Sequence, residues 1–455
     1  MSKIVKLKKG FDINLKGKAT KNLAEVQVDF YAVKPTDFLG FSKPKILVKE
    51  GEDVKAGQPL YYDKSLEEVK FVSPVSGKVV EIKRGAKRKV LEIIVESNHK
   101  DEAIENKQYS VSDIANLSAE DVKSHLTVSG VWPNIIQRPY AVVANPSDTP
   151  KSIHISGFDS SPLAPDYDFV FKGQENYFNT GINVLKRLTK GFVHLNTSGD
   201  RELSKLYTNT KGVELNKIYG QHPAGNVGVQ IHNIDPINKG DVVWTITPFG
   251  VIQIGKFFTE GKYDASKVIA LAGSELKTAQ YYTVKSGAKL TNLLKDNISS
   301  DDNVRVISGN PLTGEKVGKN GFLGYYHNQV TVIPEGDDYI TFGSFVPSKD
   351  RLSFQRPFGL FSFLNSKSKE YTVSANIQGE HRAFVQSGVF EKVVPMDILP
   401  VHLLKSILVQ DYDAMEALGI YEVAEEDFAL CEFVDASKHD VQAIIREGID
   451  LMKNS

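Results

Sequence analysis

The chain of 455 residues contains a single cysteine, Cys431, and this count limits its fold more than any other feature of the sequence. One thiol cannot form an internal disulfide, so packing and hydrogen bonds must hold the folded state. The same count excludes an iron–sulfur cluster bound by four thiolates of this chain. Cys431 lies in the run FALCEF, between apolar neighbours and without a nearby Lys, Arg or His, which predicts an inert core thiol.

Length and charge limit the number of domains and the kind of partner. A chain of 455 residues exceeds the size at which one hydrophobic core stops growing, so we expect about three or four domains. Lys plus Arg total 55 and Asp plus Glu total 56, which gives a net charge of -1. This balance offers no electrostatic reason to bind a polyanion, and nucleic acid is therefore not an expected partner.

No segment reads as a secretory signal or as a membrane-spanning helix. The N-terminal run MSKIVKLKKGFDINLKGKAT is basic but lacks the uninterrupted apolar stretch of a signal peptide. A spanning helix needs about 18 or more consecutive apolar residues. The most apolar candidate, 398–409, is interrupted by Pro400, His402 and Lys405. Any association with a membrane is therefore expected to depend on partner proteins.

The N-terminal quarter of the chain predicts a β-rich domain. Residues 46–95 form short apolar runs separated by turn residues, with Gly51, Gly57 and Gly77 at positions that suit tight turns. We interpret 1–104 as a barrel-sandwich domain of the biotinyl/lipoyl type.

The next segment, 105–262, alternates strands with helices, a pattern typical of a mostly parallel, doubly wound sheet. We therefore predict a Rossmann-like α/β domain. It begins with a helix-leaning stretch at 105–126 and has a further helix at 176–188. The predicted strands are 140–144, 152–157, 191–195, 241–246 and 251–255.

Two further domains complete a multi-domain α/β chain. Residues 268–294 read as strand, glycine turn, strand, glycine turn and short helix, and we assign 263–345 to a β-grasp domain of the soluble-ligand-binding (SLBB) type. A Phe-rich stretch at 354–363 precedes helical periodicity. We assign 346–455 to a C-terminal helical domain, with helices around 400–418, 425–433 and 441–452.

Lys64 is a candidate attachment site for a lipoyl or biotinyl group. It follows Asp63 between the two halves of the barrel-like segment, where lipoyl domains display their modified lysine. Gly77 follows Lys64 by 13 positions, a longer spacing than lipoyl domains usually have, which predicts that Lys64 lies away from the hairpin tip. The Met-Lys-Met of biotinyl domains is absent. We favour an unmodified surface lysine, and a carrier protein modified at Lys64 is the alternative.

Two other runs have weaker functional interpretations. Residues 78–89 (KVVEIKRGAKRK) contain six cations and one carboxylate, Glu81, and could contact an anionic lipid leaflet, but a solvated hairpin is favoured.

Ser286-Gly-Ala-Lys289 is similar to the SGAT-type site of covalent flavin attachment. Lys289 replaces the threonine whose hydroxyl would accept the flavin phosphate, so we interpret this run as a β-grasp turn.

The most distinctive run is HPAGNVGVQIH, 222–232, where glycine and proline favour a turn that lets the backbone approach another group closely. The ten positions between its two histidines do not match a standard metal-ligand spacing. Neither GxGxxG nor a Gly-Lys-Ser/Thr ending is present, so a phosphate loop is not predicted either. The residues of this loop that we single out are His222, Pro223, Gly225, Asn226, Gly228 and His232.

Trp132, Arg138 and Tyr140 in GVWPNIIQRPY offer two aromatic faces and a guanidinium, and the family resemblance given below implies that they could line a quinone pocket. An aromatic face can stack on a quinone ring, and a guanidinium can polarise a quinone carbonyl oxygen. Ordinary packing at a domain junction is the alternative interpretation of all three residues.

Seven blocks of sequence, in order from end to end, carry a family resemblance. The chain resembles the A subunit of the Na+-translocating NADH:quinone reductase over almost its whole length. The blocks are FVSPVSGKVVEIKRGAKRKVL (71–91), YGQHPAGNVGVQIHNIDP (219–236), VIALAGSELK (268–277), RVISGNPLTG (305–314), YYHNQVTVIPEG (325–336), PMDILP (395–400) and EEDFALCEFVD (425–435).

The resemblance implies a peripheral subunit on the cytoplasmic face of the bacterial inner membrane, held by membrane subunits, especially the B subunit, and by the C subunit. The complex passes electrons from NADH through flavins and iron centres to quinone while it exports Na+. Those centres belong to partner subunits, so this chain is expected to bind no cofactor and no metal. The resemblance implies quinone binding through 33–41 and 130–140, and its candidate residues are Phe38, Leu39, Gly40, Trp132, Arg138, Pro139 and Tyr140.

Two related proteins with the same order of domains are excluded by the cysteine count. The NADH-binding flavoprotein of respiratory complex I needs a glycine-rich flavin loop and cluster cysteines, and the C subunit of the Rnf complex needs two ferredoxin-type sets. We therefore expect a subunit that binds quinone without transferring electrons. The alternatives are the carrier modified at Lys64 and a structural scaffold for the membrane subunits.

Overall fold

The computed structural model describes residues 2–41, 43–299, 303–337, 351–355, 365, 368–385 and 388–455. Its first two strands join sheets that are formed mainly by distant parts of the chain. Strand β1 (Ile4–Lys6) pairs in parallel with residues 217–219. Strand β2 (Thr20–Glu25) pairs in parallel with residues 280–283. The N-terminal segment therefore ties together regions that are far apart in sequence.

A barrel-sandwich follows, built from one four-stranded and one three-stranded sheet. Apolar side chains that alternate along its strands, such as Leu60, Val69 and Val79, are fully buried between the sheets. The strands are β3 (Phe30–Val33), β4 (Pro44–Ile46), β5 (Asp53–Val54), β6 (Pro59–Asp63), β7 (Leu66–Val72), β8 (Gly77–Arg84) and β9 (Val90–Ser97), ordered β3-β9-β8-β5 and β4-β6-β7.

The structure corrects one prediction about this domain. Lys64 and Ser65 form the two-residue turn between β6 and β7, so Lys64 is exposed at the hairpin tip rather than displaced from it. The Asp63 carboxylate closes this turn because it accepts hydrogen bonds from Ser65 and from the backbone N–H of Lys43. The longer spacing to Gly77 is taken up within β7 and the loop after it.

The second region is a mixed α/β domain around a seven-stranded sheet. Within the sheet, β1, β14, β13, β12 and β15 are neighbours and run parallel to one another. β10 pairs with β15 in antiparallel orientation, and β11 pairs with β10 in the same way. Its strands are β10 (Ile136–Arg138), β11 (Val142–Val143), β12 (Ser152–Ser156), β13 (Phe192–Ser198), β14 (Glu214–Tyr219) and β15 (Val243–Ile246), in the order β1-β14-β13-β12-β15-β10-β11.

Helices cover this sheet. Ser110 and Ser118 each begin a helix with a capping box that is completed by Asp113 and Asp121. The helices are α1 (Val111–Asn116), α2 (Ala119–Val128), α3 (Tyr167–Val170), α4 (Glu175–Leu185), α5 (Lys205–Thr208), α6 (Val227–Ile234) and α7 (Pro248–Glu260).

The predicted strand at 251–255 is wrong, because these residues lie inside α7. Thr247 caps this helix, and Pro248 occupies its first turn, where proline suits a helix. Val251, Ile254 and Phe258 are all fully buried at helical spacing. Five residues are too few to show a period, because the helical spacing becomes visible only when the half-buried Gln253, Lys256 and Glu260 are taken together.

The third region contains a six-stranded sheet that includes β2. Residues 266–294 form strand, turn, strand, turn and helix, in the order predicted from their glycines. Its elements are β16 (Ser266–Ala272), β17 (Gln280–Lys285), α8 (Thr291–Leu294), β18 (Val304–Ser308), β19 (Glu315–Lys316) and β20 (Gln329–Pro334), with strand order β19-β18-β20-β16-β17-β2.

The last described region is helical, and its buried apolar residues form a second core that also includes Leu15, Val229 and Ala272 from earlier parts of the chain. Leu403, Met415, Phe428 and Ile445 are fully buried there, together with Cys431, and burial raises the pKa of the Cys431 thiol well above its usual value. The helices are α9 (Phe390–Val393), α10 (Pro400–Leu408), α11 (Tyr412–Ala417), α12 (Ala429–Val434) and α13 (Val441–Asn454).

Of the Phe-rich stretch, residues 356–363 lie outside the described residues. In the parts of the chain that the structure does describe, no helix combines the length and the apolar character needed to cross a membrane.

Helices α4 and α7 approach each other so closely that glycine is required at the contact. A Cβ at Gly255 would lie 1.8 Å from the carbonyl oxygen of Tyr177 and 3.0 Å from the N–H nitrogen of Gly181. Alanine gains about 1 kcal/mol over glycine through helix propensity. A clash with rigid backbone outweighs this gain, since overpacking costs about 1–3 kcal/mol even where side chains can adjust.

We therefore expect Gly255→Ala to lower the apparent free energy of unfolding by about 1–3 kcal/mol, measured from urea unfolding followed by circular dichroism. Asn176→Ala changes an exposed residue at the start of α4 and should stay within about 0.5 kcal/mol of the unchanged protein. Equal stability of the Gly255→Ala variant would contradict the close helix contact.

Candidate functional site

A small cavity of about 20 Å³, which is room for about one water molecule, lies where the barrel-sandwich, the α/β domain and the six-stranded sheet meet. All three regions contribute to its walls, so it exists only in the assembled fold. Close backbone packing shapes one side, because a Cβ at Gly130 would lie 2.2 Å from Val72 Cγ2. The lining residues are Ala32, Val33, Lys34, Asp37, Phe38, Phe71, Val72, Pro74, Gly130, Pro133, Tyr263, Ser286, Gly287 and Tyr325.

Aromatic rings form much of the cavity wall. The Phe38 ring centroid lies 4.5 Å from that of Phe71, 4.8 Å from Tyr325 and 5.9 Å from Tyr326. A short 3-10 turn, Pro35–Asp37, turns the chain after β3 and brings Phe38 into this cluster. The Tyr326 hydroxyl donates to the carbonyl oxygen of Pro133 and so joins the six-stranded-sheet region to the α/β domain.

A buried ion pair lies at one side of the cavity. The Lys34 ammonium is 3.2 Å from Asp37 Oδ1 and 2.7 Å from Glu315 Oε2, and only Glu315 is well exposed. Burial alone would lower the pKa of Lys34, but the two carboxylates outweigh it and raise this pKa above its ordinary value. Burial raises the pKa of Asp37, although Lys34 and the N–H of Tyr325 oppose the shift.

The segment around Tyr325 is held by a second cation. The Lys267 ammonium donates to the carbonyl oxygens of Tyr325 and His327, at 2.7 and 3.0 Å, and loss of hydration lowers the pKa of Lys267 to about 7. The buried Tyr325 hydroxyl has no hydrogen bond of full geometry within the described part of the chain, although Tyr263 and Asn134 lie near enough to influence its pKa. A ligand carbonyl oxygen in the cavity could therefore accept a hydrogen bond from it.

The predicted residues of the first stretch lie at and beside this cavity. Phe38 lines it, whereas the Leu39 side chain is 42% exposed. The Leu39 carbonyl oxygen accepts from the Val143 N–H. Gly40 has a φ of +91°, and a Cβ there would lie 2.8 Å from Val142 Cβ. The chain therefore crosses closely over β11 directly after Phe38.

In the second predicted stretch, 130–140, some residues line the cavity and others lie in the core. Gly130 and Pro133 line the cavity, but Trp132 between them is fully buried and points elsewhere. The Trp132 indole N–H donates to the carbonyl oxygen of Ala144 at 2.8 Å, and its ring meets the Trp244 ring edge-on at 5.5 Å. In this structure Trp132 is a packing residue.

Arg138, Pro139 and Tyr140 are not among the described residues that line the cavity. The buried Arg138 guanidinium pairs with Asp427 Oδ2 at 3.3 Å and with Glu426 Oε1 at 2.7 Å. The Arg138–Pro139 peptide bond is cis, and the Tyr140 carbonyl oxygen accepts from Arg446 of α13. These residues attach the α/β domain to the C-terminal helices.

The 222–232 loop also attaches the α/β domain to other parts of the chain. His222 Nδ1 lies 2.9 Å from Ser160 Oγ, and Ser160 Oγ also accepts from the Gly225 N–H. The His222 N–H donates to Asp12, and burial lowers the pKa of His222 to about 4. Pro223 follows His222 through a cis peptide bond.

The rest of this loop meets the C-terminal helices. Asn226 donates to the carbonyl oxygen of Glu426, and a Cβ at Gly228 would lie 2.2 Å from Asp427 Oδ2. His232 Nδ1 lies 2.6 Å from Glu422, and its Nε2 accepts from the Asp397 N–H. Glycine is needed at 228 because the buried carboxylate occupies the space of a side chain.

Sequence reasoning missed the residues that the six-stranded-sheet region adds to the cavity, above all Tyr325 and the supporting Lys267. No local pattern marks them, because their contact with Phe38 arises only when separate domains pack together. Asp37 was missed as well, although an acidic residue three positions after Lys34 is a weak signal of an ion pair.

Comparisons with known proteins agree along nearly the whole chain. Family models match as the NqrA N-terminal barrel-sandwich hybrid domain over 5–98, the NqrA second alpha/beta domain over 117–263 and the NQRA C-terminal domain over 268–319. Curated relatives are each described as the A subunit of a Na(+)-translocating NADH-quinone reductase. The proteins of Yersinia pestis bv. Antiqua and Serratia proteamaculans are 36% and 37% identical over 98% of both chains.

A more distant organism gives the same result, since the protein of Neisseria meningitidis serogroup A is 35% identical over 99% of both chains. Among solved structures, the alignment with an NAD+-reducing [NiFe]-hydrogenase covers 76% of this chain and 61% of the hydrogenase chain, at 10% identity and with a TM-score of 0.37. That likeness is too low to support an argument.

Loss of Arg138 should destabilise the contact between the α/β domain and the C-terminal helices. Arg138→Met leaves the fully buried Asp427 carboxylate without its cation, and breaking a buried ion pair in this way costs about 3–5 kcal/mol. Urea unfolding measures the loss. Adding Asp427→Asn should restore part of it, because the unpaired charge is removed, and no restoration would contradict this account.

His222 should make stability fall in acid. Its folded-state pKa of about 4 lies below the ordinary value of 6.5, so between these pH values the unfolded chain takes up a proton that the folded chain does not. Stability from this group is therefore present above pH 6.5 and decreases as the pH falls towards 4, by roughly 3 kcal/mol in all.

We expect His222→Asn, which keeps an acceptor for Ser160, to flatten the pH dependence of urea unfolding between pH 6.5 and 4.5. Asn176→Ala, at an exposed residue that does not titrate, is the control and should leave the slope unchanged. An unchanged slope for His222→Asn would show that His222 is not buried in its neutral form.

Proposed function

This chain belongs to the family of A subunits of the Na+-translocating NADH-quinone reductase, and we propose that it contributes to quinone binding as a peripheral member of such a complex. Its relatives are named as subunits of that oxidoreductase. The observation that carries the proposal is the cavity at the domain junction, because residues of both 33–41 and 130–140 line it together.

The cavity chemistry suits a quinone ring. Phe38 and Tyr325 offer aromatic faces, and offset stacking of such rings is worth about 0.5–1.5 kcal/mol beyond burial. The Tyr325 hydroxyl offers a donor to one quinone carbonyl oxygen. Since the cavity is narrow, the ring enters only if a wall residue such as Phe38 moves aside. Arg138 is less suited to polarise the quinone, because two carboxylates already hold its guanidinium.

In this proposal the chain binds quinone but holds no redox centre. One buried thiol cannot supply the four thiolates of an iron–sulfur cluster. Following the family resemblance, we assign the flavins and iron centres to partner subunits. We assign the binding partners to the membrane subunits, especially the B subunit, and to the C subunit, and the location to the cytoplasmic face of the bacterial inner membrane. The exposed Leu39, next to Phe38, offers apolar surface to a membrane partner beside the cavity.

We also infer the finer architecture. The domains are a biotinyl/lipoyl-like barrel-sandwich at 1–104, a Rossmann-like domain at 105–262, a β-grasp (SLBB-like) domain at 263–345 and a helical domain at 346–455. Parallel strands β12 to β14, connected by helices, support the second assignment. The boundary at residue 104 is drawn along the sequence. β1 and β2 precede it, although they pair with strands of the second and third regions.

Quinone titration into the purified complex tests the proposal. Phe38→Ala removes a ring from the cavity wall and should weaken binding of a short-chain quinone roughly tenfold, which corresponds to about 1.4 kcal/mol. Tyr325→Phe removes only the hydroxyl and should weaken binding less. Phe192→Ala, at an exposed aromatic residue away from the cavity, is the control. Circular dichroism verifies that each variant folds.

Equal quinone affinity in the Phe38→Ala, Tyr325→Phe and Phe192→Ala complexes would contradict the cavity as the binding site. In that case the chain serves as a scaffold for the quinone site of its partners, which is the alternative function.

A further inference from the structure

Two histidines and a carboxylate come together on one face of the seven-stranded sheet, at residues that the quinone site does not use. The ligand atoms of His154, His194 and Asp235 all lie within 4.8 Å of one another. His154 is fully buried, His194 is nearly so, and Asp235 is partly exposed. The three residues are far apart in sequence, so no spacing motif reveals them.

The fold explains why these residues meet. His154 on β12 and His194 on β13 are directly paired in the parallel register, so their side chains leave the sheet on the same face. Asp235 directly follows the last residue of α6, which packs on this face. The two imidazole rings stack with centroids 4.4 Å apart and 24° between their planes. Strand register and a helix end therefore fix the positions of all three side chains.

The hydrogen bonds around the cluster leave one buried nitrogen without a partner. Ser152 Oγ lies 3.3 Å from His154 Nε2 and donates to Asp235 Oδ2 at 2.8 Å. His154 Nδ1 is buried and has no hydrogen-bond partner within the described part of the chain. A buried polar atom without a partner is unfavourable, and an ion is one of the partners that such atoms have in proteins. His194 Nδ1, in contrast, lies 3.3 Å from the side-chain amide nitrogen of Asn216.

The charges nearby allow a cation to bind. Asp235 supplies the negative charge of the cluster, and neutral imidazoles bind a metal ion through a ring nitrogen lone pair. Lys3 donates to a backbone carbonyl oxygen at the end of α6, beside Asp235. Lys151 is the cation that contacts the carboxylate directly, at 3.1 Å from Asp235 Oδ1. It also pairs with Asp241 at 2.8 Å and therefore keeps a carboxylate partner if Asp235 turns towards a metal ion.

We propose that His154, His194 and Asp235 form a binding site for a divalent first-row transition metal of the Zn²⁺ class, with further positions open to water. Two imidazoles and one carboxylate are a ligand set that such ions accept. In a tetrahedral Zn²⁺ site, nitrogen ligands lie roughly 3.3 Å apart. The present spacing of up to 4.8 Å thus requires contraction by about 1.5 Å. The two stacked rings must also turn, because the lone pair of a ring nitrogen lies in the ring plane and both lone pairs have to point at the ion.

Binding of Zn²⁺ and Co²⁺ to the full chain tests this site. After dialysis against a chelator, isothermal titration with Zn²⁺ should show one high-affinity site per chain, and Co²⁺ should give visible absorption bands of a nitrogen- and oxygen-ligated ion. His194→Asn and Asp235→Asn each remove one ligand and keep a polar side chain. Each should weaken Zn²⁺ binding at least about tenfold, since even outer-shell changes cost about 10–100-fold.

His99→Asn is the matched control, because His99 is an exposed histidine that also has an aspartate partner, Asp29. It should bind Zn²⁺ like the unchanged chain. Thermal unfolding with and without Zn²⁺ adds a second readout, since a metal that binds only the folded state raises the melting temperature. This rise should occur in His99→Asn and be lost in His194→Asn.

Two results would overturn the metal site. One is a chain without a stoichiometric Zn²⁺ or Co²⁺ site, and the other is Zn²⁺ binding that His194→Asn and Asp235→Asn leave unchanged. In either case the stacked imidazoles are a neutral pair that packs under α6. Circular dichroism of each variant without metal separates loss of the site from loss of the fold.

Discussion

Pairing of the N-terminal strands with distant sheets is the constraint on which the rest of the structure depends. β1 completes the edge of the seven-stranded sheet and β2 the edge of the six-stranded sheet, before the chain enters its own barrel-sandwich. These ladders close very long loops, whose entropic cost grows only slowly with length. They fix three domains relative to one another, and the cavity around Phe38 exists only because of that arrangement.

The C-terminal helices are attached both by a shared apolar core, to which Val229 of α6 contributes, and by buried polar contacts. Arg138, the loop that begins at His222, and Asp427 form one buried network in which the Arg138 guanidinium pairs with the Asp427 carboxylate. Such networks add specificity because a shifted helix would leave Asp427 unpaired. Residues that invited a ligand-binding interpretation in the sequence, Arg138 above all, thus hold domains together in the folded chain.

Periodicity in the sequence sufficed for elements whose two faces differ, such as the strands of the barrel-sandwich and the paired strands β16 and β17. It failed at 251–255, because a run of five residues is too short to show the helical period that continues to Glu260. For the candidate site, Phe38 was within reach through a family resemblance, but Tyr325 and Lys267 were not, because domain packing and not local sequence brings them to the cavity. The pairing of His154 with His194 depends on strand register, which a single sequence does not specify.

The charge beside the cavity bears on what this chain can hold. Lys34 faces two carboxylates, Asp37 and Glu315, so the group carries no surplus positive charge that would attract an anion. A neutral ring gains from the aromatic wall without such a charge, whereas a reduced, anionic quinone would meet the Asp37 carboxylate. We infer that the cavity favours the neutral forms of a quinone. Electron transfer would then take place where a partner supplies both the redox centre and the compensating charge.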